Sequence, residues 1–407
     1  MIHVFDVHKC LLNGQPLVAG QLAIESNQRK QFIQLQFKYN TEYLNHSMAT
    51  PLVPNGLPLQ EGIIQLNADG KALPGFIDDC LPDDWGRKVV AMKLKKRFVD
   101  TLTLMQNMAD GAAIGALKIT NAGETAHWGL GINYQQAKSL SDLLWHGDIQ
   151  ALSEHYKELN LVLTGGSRSG GARPKLLAYE QNPHGKNIPW IVKFNRKQDR
   201  FNVAKLEWAC LQVFQLAGVP CATAELDRFT DAQYCLKVRR FDVTPQGGRY
   251  PLLTINTLLK DPYTQEDALY ACYEDIAEII RSYSYQPQQD LEQLFAQLLI
   301  NQALLNTDDH LRNFSLLQDD KGWRLSPVYD VVPDESFANE HAIAFNGSPY
   351  LPSFESAFET GKRFSLPKPA IKKVVENVEA ALAQWPSLLQ QVGVDDERLL
   401  GLVGREQ

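Results

Sequence analysis

The stretch N-T-D-D-H-L-R-N-F-S-L-L-Q-D-D-K-G-W-R-L-S-P-V-Y-D, residues 306–330, says more about the fold than any other part of the chain. It follows an apolar run over 290–305. There Asp290 reads as a helix cap, and Leu291, Leu294, Phe295, Leu298 and Leu299 recur at the three-to-four spacing of a buried helix face. F-S-L-L-Q then reads as a strand, D-D-K-G as a turn and W-R-L-S-P-V-Y as the return strand. An antiparallel hairpin brings its two ends together. Asn313 enters the first strand and Asp330 leaves the second, so both can face one point in space. An amide oxygen beside a carboxylate is hard-oxygen ligation suited to Mg²⁺, which completes its shell with water and substrate phosphates.

Five residues before Asn313 stands Asp308. Protein kinases use this D-x-x-x-x-N spacing: the Asp takes the proton of the attacking hydroxyl, and the Asn with a later Asp holds metal on the phosphates. His310 falls inside the spacer, giving the order D-x-H-x-x-N. Taken alone, the string also fits an Asp/Asn-rich turn between a helix and a hairpin. The apolar helix before it and the Y-D after it favour the catalytic reading.

Such chemistry also needs a strand lysine aimed at the phosphates. Lys193 in W-I-V-K-F is placed for this, on the same strand face as Ile191. Glu207 lies near the edge of the apolar stripe of a helix over 203–217, among Val203, Cys210, Leu211 and Phe214, with Gly218 as its stop. A carboxylate there needs a partner, because an isolated ion in apolar surroundings costs several kcal/mol or changes protonation state. A Lys193–Glu207 pair would satisfy both. The alternative is a lysine that reaches solvent and an unrelated Glu.

T-G-G-S-R-S-G-G-A-R-P-K, residues 164–175, is a glycine-rich loop before the strand K-L-L-A-Y. Small residues let backbone N–H groups approach an anion. Ala172-Arg173 stands where a Walker A loop has Lys-Ser/Thr. Arg168, Arg173 and Lys175 make phosphate contact plausible, and Ser169, Gly170, Gly171 and Ala172 would line it. V-R-R-F-D, residues 238–242, follows the strand Y-C-L-K-V. Phe241 could pack a base and Asp242 could reach a ribose, or the pair could be a core Phe beside a turn Asp. K-L-K-K-R, residues 93–97, reads as a solvated helix end, or as a cluster that touches a partner or a phosphate backbone.

Outward from these sites, three textures divide the 407 residues. Residues 1 to about 105 read as short strands, with V-F-D-V and Q-F-I-Q-L-Q-F alternating, then one helix after L-P-D-D. Asp83 or Asp84 can cap that helix, and Trp85, Val89, Met92 and Val99 lie along one side. Residues 106–245 are strand-rich, with candidates at 115–120, 175–179, 190–194 and 234–238; 246–407 is mainly helical. A β-rich half followed by an α-rich half is an α+β arrangement.

Apolar residues make up 44% and charged residues 21%, which excludes wholesale disorder. The net charge of −7 argues against direct nucleic-acid binding by an overall basic surface. No stretch approaches the ~20 apolar residues of a membrane span, and the N-terminus does not read as a signal peptide. The six cysteines show no C-x-x-C or zinc-finger spacing and read as buried, reduced thiols of a cytoplasmic protein.

In order along the chain, L-P-D-D-W-G-R (81–87), G-A-L (115–117), G-G-A-R-P-K (170–175), I-V-K-F (191–194), R-R-F-D (239–242), D-D-H-L-R-N-F-S (308–315) and P-V-Y-D (327–330) resemble the HipA family of bacterial toxin kinases. The resemblance covers roughly residues 4–380. It implies a two-lobed, protein-kinase-like fold: an N-terminal β-rich module over 1–105, a β-rich N-lobe over 106–245 and a helical C-lobe over 246–407. It implies ATP and Mg²⁺. By position, Asp308 matches the catalytic Asp, Asn313 and Asp330 the metal ligands, and Lys193 the phosphate-binding Lys. His310 matches a nucleotide-site His, and Phe241 and Asp242 match contacts on the adenine and ribose sides. Arg239 replaces an acidic residue of the family near the hinge.

The resemblance further implies a Ser/Thr protein kinase that shuts itself off by phosphorylating a serine of its glycine-rich loop, here Ser167 or Ser169. It implies a translation-related protein substrate, an aminoacyl-tRNA synthetase being one known kind of target. It also implies a HipB-like helix-turn-helix antitoxin, through which alone the chain would meet DNA. A nucleotide-binding corepressor, a small-molecule kinase and a Mg²⁺-dependent nuclease are the competing readings.

Overall fold

The structure is a computed structural model that describes residues 1–54, 56–66, 73–108, 112–146, 173–230, 233–259 and 271–403. Two compact units emerge: Met1–Lys197 with Arg240–Asp267, and Gln198–Arg239 with Ala268–Gln407. The chain is a mixture of sheets and helices, as the α+β reading expects.

The first unit is built on an antiparallel sheet of β1 (Ile2–Cys10), β2 (Pro16–Ser26), β3 (Phe32–Tyr39), β4 (Ile64–Leu66) and β5 (Leu117–Asn121), in the order β4-β3-β2-β1-β5. Alternation explains β3, where Phe32, Leu35, Phe37 and Tyr39 are buried. β1 pairs on both sides and is buried from Phe5 to Cys10, so its polar residues find partners inside. His8 bonds Thr120 at 2.9 Å, and Lys9 donates to Thr50 at 2.5 Å beneath the Tyr43 ring. Burial pushes the Lys9 pKa down to about 8.

The helix after L-P-D-D runs Asp84–Lys93, and Asp83 is its cap, accepting from the Gly86 N–H at 2.7 Å. It stops earlier than its apolar stripe suggests. Lys95 takes a left-handed conformation (φ +52°), so Val99 lies outside it. Asp100 caps a second helix, Thr101–Gln106. Residues 93–97 include the exposed Lys93, Lys95, Lys96 and Arg97, as a solvated helix end requires.

Three more strands of this unit are β6 (Ile132–Asn133), β7 (Lys175–Gln181) and β8 (Asn187–Phe194), with β6 parallel and β8 antiparallel to β7. The strand Leu252–Thr254 and helix Ile255–Leu259 complete it. The buried Asp79 carboxylate accepts from the Thr254 N–H and hydroxyl and from the Thr257 hydroxyl.

In the second unit, helix Val203–Leu216 ends with Ala217 at its cap and Gly218 at φ +72°, where a side chain would be strained. β9 (Ala224–Arg228) and β10 (Tyr234–Arg239) form an antiparallel pair. Helices Tyr273–Tyr283, Pro287–Ala303 and Lys368–Leu382 pack around a core that includes Leu294, Phe295, Leu298 and Phe364.

Asp290 is not the cap of its helix. Pro287 opens the helix one turn earlier, and Asp290 sits fully buried inside it. Its carboxylate takes two N–H groups of Arg324 (3.2 and 2.6 Å), the Leu325 N–H and the Ser284 hydroxyl. The hairpin is also shorter than its sequence pattern suggests. Ser315–Gln318 pairs with Trp323–Leu325, and the chain then leaves to let Val328 bridge Cys221.

All six cysteines are free thiols, four of them buried. No described helix is long and apolar enough to cross a membrane.

Candidate active site

Helix Pro287–Ala303 delivers the chain into a tight loop. Leu305 adopts φ +52°, and residues 307–310 run into a single 3₁₀ turn, Leu311–Asn313. Asn313 therefore lies at the end of this turn, immediately before the strand. Its side-chain N–H donates to the Asp308 carbonyl at 2.7 Å, and its backbone N–H donates to the His310 carbonyl at 2.8 Å. Asn313 is buried, with the amide nitrogen committed to the loop; the amide oxygen is left as the acceptor for a cation.

Asp308 is the opposite case. Its side chain is 86% exposed, with His310 Nε2 at 3.9 Å. Partial desolvation by the loop raises its pKa; His310 opposes this, while the Asp330, Asp309 and Asp334 carboxylates push the same way. A side chain this open to water keeps most of its hydration. The nearby carboxylates add to the upward shift that desolvation begins. His310 Nδ1 is buried and makes no hydrogen bond among the described residues.

Asp330 closes the arrangement. It is half-buried, in the left-handed region at φ +57°, a conformation an Asp tolerates better than most side chains. Strained backbone of this kind gathers at functional sites. The second unit thus brings Asp308, Asn313 and Asp330 into one acidic neighbourhood. Among the described residues no three His, Cys, Asp or Glu groups converge on a point. An amide oxygen and one or two carboxylates nevertheless suit Mg²⁺, which keeps water and phosphate oxygens in most of its shell. A cation would also relieve the charge crowding on Asp308. The donor set fits the ion.

Sequence reasoning missed the residue that holds the loop in place. Asp309 is completely buried while its neighbour Asp308 faces water. Its carboxylate accepts from the Tyr273 hydroxyl (2.7 Å), His341 Nδ1 (3.1 Å) and the Ala342 N–H (2.9 Å). No local pattern reveals Tyr273 or His341, which lie 36 and 32 residues away. The one signal in the sequence is the doubled Asp itself.

The remaining predicted residues are divided between the units. In the first unit, Lys193 is half-buried on β8 and stands directly across from Lys175 of β7. Opposed like charges repel. Lys175 is buried and meets Asp83 at 3.9 Å, so its charge is matched inside the unit. Asp242 is likewise engaged inside it. Burial works against ionisation of Asp242, but the Arg240 guanidinium beside it and the Gly115 N–H hold its pKa low. Phe241 is half-buried.

In the second unit, Glu207 is buried within helix Val203–Leu216, not at the edge of its stripe. Burial pushes the Cys210 thiol well up, and the Glu207 charge adds to that. Arg239 is exposed at the end of β10. Arg173, in the first unit, is half-buried. Ser167, Arg168, Ser169, Gly170, Gly171 and Ala172 lie outside the described residues.

The sequence model of the HipA-like C-terminal domain matches residues 167–385, and that of the HipA N-terminal domain matches residues 11–120. Toxin YjjJ of Escherichia coli (strain K12) is 24% identical over 282 residues, 64% of this chain and 60% of that protein. The putative kinase Y4mE of Sinorhizobium fredii is 35% identical over 60 residues, 15% of this chain and 14% of that protein. The matched regions thus span at most 60% of these relatives' lengths. A chain of the complex of Shewanella oneidensis MR-1 HipA, HipB and operator DNA, from a toxin–antitoxin system, superposes with a TM-score of 0.63. It is 17% identical and covers 97% of this chain and 93% of that one. That likeness is one of fold.

Proposed function

The chain belongs to the HipA family, with its kinase-like two-lobed fold, and from that premise we propose that it is an ATP- and Mg²⁺-dependent protein serine/threonine kinase. The observation that carries this reading is the pairing of an exposed Asp308 with an Asn313 whose amide is locked to the Asp308 carbonyl, beside the charge of Asp330.

In this reading Asp308 orients the acceptor hydroxyl and takes its proton. The hydroxyl oxygen bonds the γ-phosphorus as the bond to the β-phosphate oxygen breaks, and ADP leaves. Asn313 and Asp330 would hold Mg²⁺, which neutralises charge on the phosphates. By the family resemblance, Lys193 is the candidate for the nucleotide's phosphates, and Glu207, His310, Arg239, Phe241, Asp242 and residues 169–172 remain candidates for nucleotide contact. Autophosphorylation at Ser167 or Ser169 would add about −1.5 to −2 charges to that loop and oppose ATP.

The name of one relative, Toxin YjjJ, supports a growth-inhibiting toxin, and the HipA, HipB and operator DNA complex supports a helix-turn-helix antitoxin as partner. With a net charge of −7, DNA would be reached through that partner. An aminoacyl-tRNA synthetase is the substrate class to test first. Incubating the chain and its Asp308→Ala variant with γ-labelled ATP and a cell lysate tests the kinase reading. Label should enter protein only with the unsubstituted chain; equal labelling by both would end it. A corepressor without catalysis is the second reading, and absence of any ATP affinity in the presence of Mg²⁺ would favour it.

A further inference from the structure

Four buried polar side chains of the second unit form one continuous line of hydrogen bonds. The Val332 N–H donates to Asn306 Oδ1 at 3.1 Å, and Asn306 Nδ2 donates to Asn301 Oδ1 at 3.1 Å. Asn301 Nδ2 then donates to the Tyr273 oxygen at 3.1 Å, and the Tyr273 hydroxyl donates to Asp309 at 2.7 Å. Asn301, Tyr273 and Asp309 are wholly buried, and Asn306 is 3% exposed. Every donor points the same way, toward a carboxylate, so each bond polarises the next.

The two ends of this line matter most. Asp309 adjoins Asp308. Val332 lies two residues after Asp330, whose left-handed backbone the loop must maintain. Burial and the Asp309 charge both push the Tyr273 pKa well up, so the phenol stays protonated as the donor. We infer that the line Val332–Asn306–Asn301–Tyr273–Asp309 is a positioning device that fixes the loops of Asp308 and Asp330 in one register, so that base and metal ligand are set together. This deepens the kinase reading and rests on it for its catalytic meaning. The register itself is a property of the fold.

Tyr273→Phe is the sharpest probe. It deletes one hydroxyl and keeps the ring, which packs edge-on against Phe314 at 5.7 Å. Asp290→Asn is the control, a buried polar substitution in the same unit with no place in the line. Hydrogen–deuterium exchange of the full chain is read over 307–313 and 330–334. In Tyr273→Phe, exchange should rise together in both segments by about fivefold or more, as expected when a shared local constraint is lost. In Asp290→Asn the rise should not single out these two segments. Unchanged exchange over 330–334 in Tyr273→Phe would overturn the inference.

Kinetics supply the second readout. Tyr273→Phe should lower kcat by about tenfold and raise the Mg²⁺ concentration at half-maximal rate, with the KM for ATP within about twofold. The control should leave the Mg²⁺ midpoint in place. A midpoint unmoved in Tyr273→Phe would show that the line stabilises the unit without setting the site, and would sink the proposal. Should the unsubstituted chain transfer no phosphate, the kinase reading fails, while the exchange experiment still decides the register.

Discussion

The side-chain amide of Asn313 donates to the backbone carbonyl of Asp308 across 2.7 Å. The loop is therefore closed through the main chain of Asp308 and not through its carboxylate, which stands 86% exposed. Structure and chemistry at this residue are separable. Asp308→Ala should leave the thermal transition within about 0.5 kcal/mol of the unsubstituted chain, the usual range for surface changes. It should also cut phosphoryl transfer by about 10²–10⁴-fold, the typical loss of a general base. Paired calorimetry and single-turnover kinetics check both halves.

The charge around Asp308 has a consequence for pH. Its pKa lies above the usual carboxylate value through partial desolvation and the Asp330, Asp309 and Asp334 carboxylates, against His310. A base must be ionised to accept a proton, so the rate should fall as pH drops through this raised pKa, earlier than for an ordinary Asp. Asp334→Asn removes one of the like charges. It should move the acid limb of kcat/KM to lower pH, and pH–rate profiles of the two proteins read that displacement directly.

Many of the secondary-structure elements are legible in the sequence, because they are local. Helix Val203–Leu216, strands β7, β8 and β10 and the hairpin after Phe314 follow from periodicity and turn residues. What local pattern cannot show is which way a polar residue faces. Asp308 and Asp309 are adjacent and chemically identical, yet one faces water and the other anchors the loop to Tyr273 and His341. The contacts that decide this lie more than 30 residues away. Asp290 shows the same limit. Its residue type suits a cap, but Pro287 starts the helix and Arg324, across the hairpin, claims the carboxylate. Val99 lies outside its helix because Lys95 turns left-handed, which no hydrophobic stripe records.

Asp290 should be costly to remove. Truncating it leaves the Arg324 guanidinium, the Leu325 N–H and the Ser284 hydroxyl without their shared acceptor. Breaking one partner of a buried ion pair destabilises by about 3–5 kcal/mol. Asp290→Ala should therefore lower the urea midpoint of the second unit by a corresponding amount. Asp290→Asn, which keeps an acceptor, should lower it less.

Gly131 occupies a position closed to any other residue. It adopts φ +111° immediately before β6, and a Cβ there would overlap the Leu177 carbonyl of β7. Both the conformation and the space require glycine. Gly131→Ala should break the parallel pairing of Ile132 with Ala178 and destabilise the first unit by more than about 1–3 kcal/mol, the typical cost of a strained backbone residue. Thermal denaturation of the variant would show it. A transition unmoved from that of the unsubstituted chain would mean that the β6–β7 contact is looser than this geometry.

Lys9 gives the first unit a pH signature of its own. Buried in β1 against Thr50 and the Tyr43 ring, it has its pKa pushed down from 10.5 to about 8. Below about pH 8 both folded and unfolded chains carry the charge, and the folded state bears the full desolvation cost. Between about pH 8 and 10.5 the unfolded chain binds the extra proton, so stability rises with pH across this window. Tyr43 works in the opposite direction at higher pH. Burial pushes its pKa up from 10.0 to about 12, so its contribution is lost as pH climbs above 10.0. The rise due to Lys9 should therefore be cleanest from about pH 8 to 10. Lys9→Met fills the same space without a charge. It should stabilise the unit at neutral pH by roughly 1–3 kcal/mol, since each tenfold change in proton affinity is worth ~1.4 kcal/mol, and it should flatten the pH dependence. Urea midpoints across this range, for both proteins, measure the slope. Parallel slopes would mean that Lys9 keeps its ordinary protonation in the folded chain.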